Sequence, residues 1–260
     1  MRLEGKNALI TGGSAGIGLA IAECFVREGA GVAVVGRNAA RLRTAEQSLR
    51  SPGAAVLTIQ CNVCSKTEVV QMVRHVEDHF GHIDILVNNA GYFPSLTPIQ
   101  ETVDEEWDQT LLANLTSAFY VSRAVFPGMI ARKFGSIIMI SSSAAKHAYT
   151  YGAPYAAAKA GMLGLTRSLA AEAGRHSIRV NALCPGMVVG TEMTDKVNRE
   201  LLRITGLSVE ARAEGVRDTA LLHRLMESAD VARAALFLAT EDSGSVTGQA
   251  LNIDAGMRFD

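Results

Sequence analysis

Short apolar runs alternate along this chain with longer amphipathic ones, and this alternation constrains the fold more than any other feature. The apolar runs predict strands at Asn7–Ile10, Gly31–Gly36, Ala55–Gln60, Ile83–Val87, Ser136–Ile140, Ile178–Leu183 and Ala250–Ile253. The amphipathic runs predict helices at Ile17–Glu28, Ala39–Arg50, Lys66–His79, Asp104–Ala131, Tyr155–Gly174 and Ala229–Thr240. Strands that are apolar throughout and are each followed by a helix form a parallel sheet covered on both faces. We therefore predict a doubly wound α/β fold, with a seven-stranded and mainly parallel sheet.

Length and composition favour one domain spanning residues 1–260. Proline is sparse at 6 residues, and no Ser/Gly tract, charge run, internal repeat or low-complexity segment marks a linker. The 25 basic and 26 acidic residues give a net charge of −1, which leaves no basic footprint for nucleic acid or an anionic membrane. We expect a small-molecule substrate. With no signal-like or membrane-spanning apolar run, we predict a cytoplasmic protein.

Two cysteines, Cys61 and Cys64, form a C-x-x-C pair. A zinc or redox role would need a second ligand pair or a thioredoxin-like context, and the sequence has neither. We therefore predict reduced thiols and no metal. His75 and His79, four residues apart on a charged helix, are interpreted as part of a solvated face.

A glycine-rich turn, TGGSAGIG at 11–18, follows the first strand and opens the first helix. Its glycines Gly12, Gly16 and Gly18 stand where a backbone must approach a ligand closely, and a pyrophosphate would lie over the helix N-terminus. The alternative is a tight turn that needs glycine only for its own geometry. The strand–turn–helix setting favours nucleotide binding.

Tyr155 and Lys159 lie four residues apart in an Ala-rich helix, and so on the same face. A nearby cation favours the phenolate, so Tyr155 could exchange a proton near neutral pH as a general acid or base. Ser142, at the end of a predicted strand, is placed to hold a carbonyl oxygen. A chance surface pair is the alternative interpretation.

Together with NNAG (88–91), PG (185–186) and VTGQALNIDAG (246–256), these motifs resemble the short-chain dehydrogenase/reductase family over nearly the whole chain. The resemblance implies the catalytic residues Asn114, Ser142, Tyr155 and Lys159. In that scheme Tyr155 transfers the proton, and Lys159 lowers its pKa and binds the nicotinamide ribose. Ser142 orients the substrate carbonyl, and Asn114 holds a water through its backbone.

The resemblance also implies a dinucleotide site. Its predicted cofactor contacts are Gly12, Ser14, Gly16, Ile17, Gly18, Arg37, Asn62, Val63, Asn89, Ala90, Gly91, Tyr155, Lys159, Pro185, Gly186, Val188 and Thr191. Asn62 replaces the family's usual Asp, and its amide oxygen can still accept a bond from the adenine. Thr191 stands one residue later than the family's Thr.

Cofactor choice is predicted from the end of the second strand. An acid there binds the ribose hydroxyls of NAD, whereas a nearby Arg accommodates the 2′-phosphate of NADP. Gly36 and Arg37 occupy these positions, which favours NADP(H). A solvated loop arginine is the alternative, and Ala15 lacks the basic side chain of many NADP-using relatives, so NAD(H) stays possible.

The predicted substrate contacts are Ser142, His147, Tyr149 and Tyr155. The resemblance makes the insertion 187–226 a substrate lid, which with Tyr92, Phe93 and Glu192 would shape the pocket. It also implies a homotetramer or homodimer, formed by the helices at 104–131 and 155–174 and the segment 246–260. The Ala-rich face at 156–160 would permit close helix packing.

The function expected from all this is an NADP(H)-dependent carbonyl reductase or alcohol dehydrogenase. An NAD-dependent dehydrogenase of a sugar alcohol, diol or hydroxy acid is one alternative, and a 3-oxoacyl thioester reductase is another. A nucleotide-sensing binding protein is the non-enzymatic alternative. It has no need of Ser142, Tyr155 and Lys159 together.

Overall fold

The computed structural model describes residues 1–51 and 53–259, and these contain one seven-stranded sheet. Its strands are β1 (Asn7–Thr11), β2 (Gly31–Gly36), β3 (Val56–Gln60), β4 (Ile85–Asn88), β5 (Gly135–Ile140), β6 (Ile178–Pro185) and β7 (Ala250–Ile253). The strand order is β3-β2-β1-β4-β5-β6-β7, and every neighbouring pair is parallel. The predicted doubly wound fold is confirmed.

Nine α-helices connect or cover these strands in the described residues. They are α1 (Gly16–Arg27), α2 (Ala39–Leu49), α3 (Lys66–Phe80), α4 (Asp104–Leu111), α5 (Ser117–Arg132), α6 (Ala153–Ala173), α7 (Glu192–Thr205), α8 (Val209–Thr219) and α9 (Ser228–Ala239). Helices α1 and α9 pack together over one face of the sheet, and α3, α5 and α6 cover the other.

The strands place alternate side chains on opposite faces, as the two-residue period of a strand requires. On β1, Ala8 and Ile10 belong to the apolar core beneath α1 and α9, whereas Leu9 belongs to the core beneath α3 and α5. All three are almost fully buried. A sheet buried on both faces explains why its strands read as continuous apolar runs.

The long helix predicted at Asp104–Ala131 is interrupted. A π-helical turn at Leu112–Thr116 separates α4 from α5, and Asn114 lies fully buried within it. Its amide Nδ2 donates to the carbonyls of Tyr92, at 2.7 Å, and Thr110, at 2.9 Å. Single π turns often occur at functional sites, and they leave no mark in the apolar pattern that predicted one helix.

The insertion after β6 contains two helices that the sequence analysis did not predict. The Thr191 hydroxyl accepts a bond from the Thr194 N–H and starts α7, and Gly206, at φ +72°, ends it. Ser208 caps α8 in the same way. These caps are readable signals. Among the described helices, none is long and apolar enough to cross a membrane.

Candidate active site

A cavity of about 860 Å³ opens at the carboxyl ends of β1, β4, β5 and β6. The order of the sheet reverses between β1 and β4, and ligands of doubly wound sheets bind at this switch point. The cavity is lined by Gly12, Ser14, Ala15, Gly16, Ile17, Leu19, Ala40, Arg41, Thr44, Asn89, Ala90, Gly91, Tyr92, Phe93, Ile140, Ser141, Ser142, Tyr155, Lys159, Pro185, Gly186, Val188, Gly190, Thr191, Glu192, Met193, Thr194 and Lys196.

The glycine turn forms one end of this cavity. Gly12 and Gly16 have φ values of +65° and +53°, which side-chain-bearing residues rarely adopt. Helix α1 begins at Gly16, and within the described residues no side chain caps its first turn and no acid stands there. The open N–H groups and the helix dipole therefore suit an anion such as a pyrophosphate.

The NNAG loop is bound to the glycine turn. Asn89 Nδ2 donates to the carbonyls of Thr11 and Gly12, both at 3.0 Å. A Cβ on Gly18 would lie 2.4 Å from this nitrogen and 2.4 Å from the Gly12 oxygen. Gly18 is therefore required for packing between the two loops, and it does not line the cavity.

Tyr155 lies in the first turns of α6, after Pro154, which suits a helix start. Its ring packs against Phe93, with ring centres 5.0 Å apart, and its hydroxyl faces the cavity. Burial raises the pKa of this phenol, and a hydrogen bond with Ser142 opposes the rise. The hydroxyl is therefore held protonated in this structure, as a general acid requires.

Lys159 is 3% exposed, one turn further along α6. Its Nζ donates to the Ile140 carbonyl at 2.9 Å and lies 5.6 Å from the centre of the Tyr155 ring. Burial lowers the pKa of Lys159 to about 8, against a smaller opposing effect of Cys184. The predicted lowering of the Tyr155 pKa by this ammonium is therefore not met here, because desolvation dominates and the ammonium is bound elsewhere.

Two further side chains stand beside this pair. Ser142 follows β5, and its hydroxyl accepts a bond from the Ala144 N–H at 3.1 Å. A Cβ on Gly91 would lie 2.8 Å from Asn114 Oδ1 and 3.7 Å from Lys159 Nζ. The glycine thus lets Asn114 and Lys159 approach the same point of the NNAG loop.

Helix α7, in the segment 187–226 that the sequence predicts to be a substrate lid, lines the cavity and is anchored to the loop after β4. Lys196 Nζ donates to the Phe93 carbonyl at 2.6 Å, and Arg203 donates to the Leu96 carbonyl at 2.8 Å. Val197 is buried in an apolar cluster with Phe93, Leu96, Ala144 and Tyr155. Helix α7 is therefore packed directly against Phe93 and Tyr155.

Several predicted residues lie outside the lining, although all are described: Gly18, Arg37, Asn62, Val63, Asn114, His147 and Tyr149. The Asn62 amide oxygen accepts a bond from the Cys64 N–H at 3.2 Å. Val63 lines a separate crevice that is too small to hold a ligand. His147 Nδ1 lies 2.5 Å from the Ser143 carbonyl, and Tyr149 packs edge-on against Phe93.

The cavity also contains residues that the sequence analysis missed, among them Arg41, Thr44, Met193, Thr194 and Lys196. Of these, Arg41 carried a readable signal, since it is a basic residue in the first turn of α2, close to the strand that sets cofactor choice. Tyr92, Phe93 and Glu192, predicted to shape the pocket, do line the cavity.

A doubly wound parallel sheet with an anion-binding glycine turn at its switch point defines the class of dinucleotide-binding α/β proteins. The short chain dehydrogenase family model matches residues 6–202, more than half of the chain. The chain therefore belongs to this family, and it is an oxidoreductase acting on carbonyl or alcohol groups with NAD or NADP.

Its relatives differ in their substrates. The 3-oxoacyl-(acyl-carrier-protein) reductase FabG of Chlamydia pneumoniae is 37% identical over 257 residues, covering 99% of this chain and 98% of that protein. The sorbitol dehydrogenase of Cereibacter sphaeroides is 36% identical over 257 residues, covering 98% of each. A solved actinorhodin polyketide ketoreductase variant with NADPH superposes with a TM-score of 0.92 at 35% identity, covering 97% of each chain.

Proposed function

We propose that this protein is an NADP(H)-dependent oxidoreductase that interconverts a carbonyl compound and a secondary alcohol, with Tyr155 as the general acid and base. The observation that carries this is the shared cavity, in which Tyr155, Ser142 and Lys159 meet the glycine turn. A nicotinamide cofactor, when bound, would supply the hydride. The protein's part is then to orient the carbonyl and to transfer one proton.

In the reductive direction, the protonated Tyr155 hydroxyl donates its proton to the carbonyl oxygen. Ser142 holds that oxygen within reach of the phenol. Lys159, with a pKa of about 8, can carry charge near neutral pH. It would stabilise the phenolate that forms once its ammonium leaves the Ile140 carbonyl, which it contacts in this structure. Asn114 fixes the neighbouring loop through the Tyr92 main chain, and its proposed role in holding a water through its backbone rests on the family pattern.

NADP(H) is the proposed preference because no acid stands at Gly36 to repel a 2′-phosphate, and because a solved relative holds NADPH. Arg37 is the phosphate contact that the sequence predicts. Assembly as a homotetramer or homodimer and location in the cytoplasm stay predictions.

Within this function, a 3-oxoacyl thioester is the substrate class that we favour. A FabG protein and a polyketide ketoreductase are among the relatives. Because a sorbitol dehydrogenase is also among the relatives, a sugar alcohol is the alternative substrate. The aromatic rings of Tyr92 and Phe93, which line the cavity, suit the apolar part of either a thioester or a ketone.

The test is a panel of 3-oxoacyl thioesters, simple ketones, sugar alcohols and 3-hydroxy acids, assayed with NADPH, NADH and their oxidised forms. We expect carbonyl reduction with NADPH to give the highest kcat/KM. Tyr155→Phe serves as the matched inactive control. No turnover of any class, together with intact cofactor binding, would support the sensor alternative and overturn the proposal.

A further inference from the structure

The arginines that follow β2 differ in their relation to the cavity. Among Arg37, Arg41 and Arg43, all within the described part of the chain, only Arg41 lines it. Its main chain is fixed in the first turn of α2, because Asn38 caps the helix and accepts bonds from the N–H groups of Ala40 and Arg41, at 2.9 and 3.1 Å. Arg41 is therefore held at the mouth of the cleft by the start of its own helix.

This part of the cleft is where the cofactor's adenosine ribose is expected. The end of β2 carries the group that distinguishes the 2′-hydroxyl from the 2′-phosphate in doubly wound folds. That end is Gly36, where an added Cβ would lie 3.0 Å from the Ser14 hydroxyl oxygen. Ser14 and Arg41 both line the cavity, so the side chain of Arg41 and this subsite belong to one continuous space.

The partner of Arg41 is the first residue of the lid helix. Arg41 Nη1 lies 2.9 Å from Glu192 Oε2, across 151 residues of sequence. The two side chains are 49% and 70% exposed. An ion pair in water contributes little, whereas a guanidinium–phosphate pair is charge-assisted and can be bidentate. A phosphate can therefore displace the carboxylate.

We propose, on the basis of the proposed NADP(H) dependence, that Arg41 binds the cofactor's 2′-phosphate and that Glu192 competes with that phosphate for the guanidinium. Without the phosphate, Glu192 ties the start of the lid to α2. When the phosphate binds, Arg41 turns to it and the lid loses this attachment. Cofactor identity and lid position are thereby coupled, in addition to any contact made by Arg37.

The test is a double-mutant cycle read as the Kd of NADPH and of NADH, measured by fluorescence titration. Arg41→Gln should weaken NADPH binding about tenfold or more and leave NADH binding within about twofold. Glu192→Gln should tighten NADPH binding severalfold by removing the competitor. In the Arg41→Gln background, the Glu192→Gln change should have no further effect. Arg43→Gln, which is exposed and outside the lining, is the matched control.

Each other outcome is informative. If Arg41→Gln weakened both cofactors equally, the guanidinium would bind a phosphate common to both, and the 2′-phosphate assignment would be overturned. An effect of Glu192→Gln that persisted without Arg41 would overturn the competition. If the wild type prefers NADPH and Arg41→Gln keeps that preference, only the role of Arg41 is overturned. If the wild type prefers NADH, the proposed preference for NADP(H) is itself overturned.

Discussion

The hydroxyl of Tyr155 lies 3.8 Å from the Sδ of Met193, the second residue of helix α7. A thioether is a weak acceptor, so this contact does not compete strongly with a carbonyl oxygen for the phenol proton. Met193 nevertheless occupies space in front of the proposed general acid. A carbonyl that binds Tyr155 must therefore fit beside the Met193 side chain.

Met193 should therefore limit the bulk of the groups beside the carbonyl. We expect Met193→Ala to raise kcat/KM for ketones with bulky neighbouring groups by roughly tenfold relative to a methyl ketone, since each methylene of pocket space is worth about 1–3 kcal/mol. Met193→Leu, of similar volume, is the control and should change the ratio little. Equal effects of the two variants would show that the volume at this position is irrelevant.

Tyr155→Phe should abolish turnover and spare cofactor binding, because it removes only the transferable proton. The aromatic ring, with its packing against Phe93, is retained. We expect kcat to fall by roughly 10²- to 10⁴-fold, the usual worth of general acid catalysis, while the Kd of the cofactor changes less than twofold. Steady-state rates and fluorescence titration measure the two quantities. A variant that kept more than about a tenth of the wild-type kcat would exclude Tyr155 as the acid.

Lys159 should make stability depend on pH in a defined window. Its pKa is about 8 in the folded protein, below the ordinary 10.5. Between these two pH values the unfolded chain binds one proton more than the folded protein, so the free energy of unfolding rises with pH. Below pH 8 the lysine is charged in both states, and the folded protein bears the full cost of burying that charge.

Lys159→Met removes this titration. The wild-type minus variant difference in the free energy of unfolding should rise by about 2–3 kcal/mol from pH 8 to pH 10.5, with a slope of at most about 1.4 kcal/mol per pH unit. Urea unfolding of both proteins at a series of pH values measures it. Parallel pH profiles would contradict the buried, depressed lysine.

The strand-end prediction on cofactor choice is tested by the double variant Gly36→Asp, Arg37→Gln. The new carboxylate should accept the ribose hydroxyls of NADH and repel a 2′-phosphate, so the NADPH/NADH ratio of kcat/KM should fall roughly ten- to a hundredfold. Because a Cβ at Gly36 lies 3.0 Å from the Ser14 oxygen, Gly36→Ala controls for crowding alone. If the NADPH/NADH ratio of kcat/KM hardly changes, Arg37 is a solvated loop residue that does not select the cofactor.

The assembly prediction can be tested on α6. Ala156, Ala160 and Gly164 follow one another at four-residue spacing, none is buried, and a Cβ on Gly164 would meet nothing within 4 Å in this subunit. Gly164→Leu should therefore leave the subunit folded, with a gain in helix propensity of about 0.8 kcal/mol, and yet block close helix packing.

Sedimentation at micromolar concentration should show a tetramer or dimer for the wild type and a smaller species for Gly164→Leu. Gly215→Leu, at an equally open position on α8, is the matched control and should sediment as the wild type. A wild-type monomer refutes the assembly prediction outright. An unchanged species in the Gly164 variant removes α6 from the interface.

Local patterns in the sequence determined most of the fold. The apolar runs predict all the strands of the sheet to within about two residues, because a parallel strand buried on both faces must be apolar throughout. The glycine turn was equally readable, since positive φ at Gly12 and Gly16 demands glycine at fixed places after β1. The Tyr155–Lys159 spacing likewise placed both side chains on one helix face.

Only the tertiary structure decided how these parts act on one another. The sequence predicts that Lys159 lowers the Tyr155 pKa, but in the structure burial raises this pKa and the ammonium donates to the Ile140 carbonyl. The contact of Met193 with Tyr155 and the pairing of Arg41 with Glu192 join residues far apart in the chain. Desolvation and long-range contacts depend on how elements pack, and no local period or spacing encodes them.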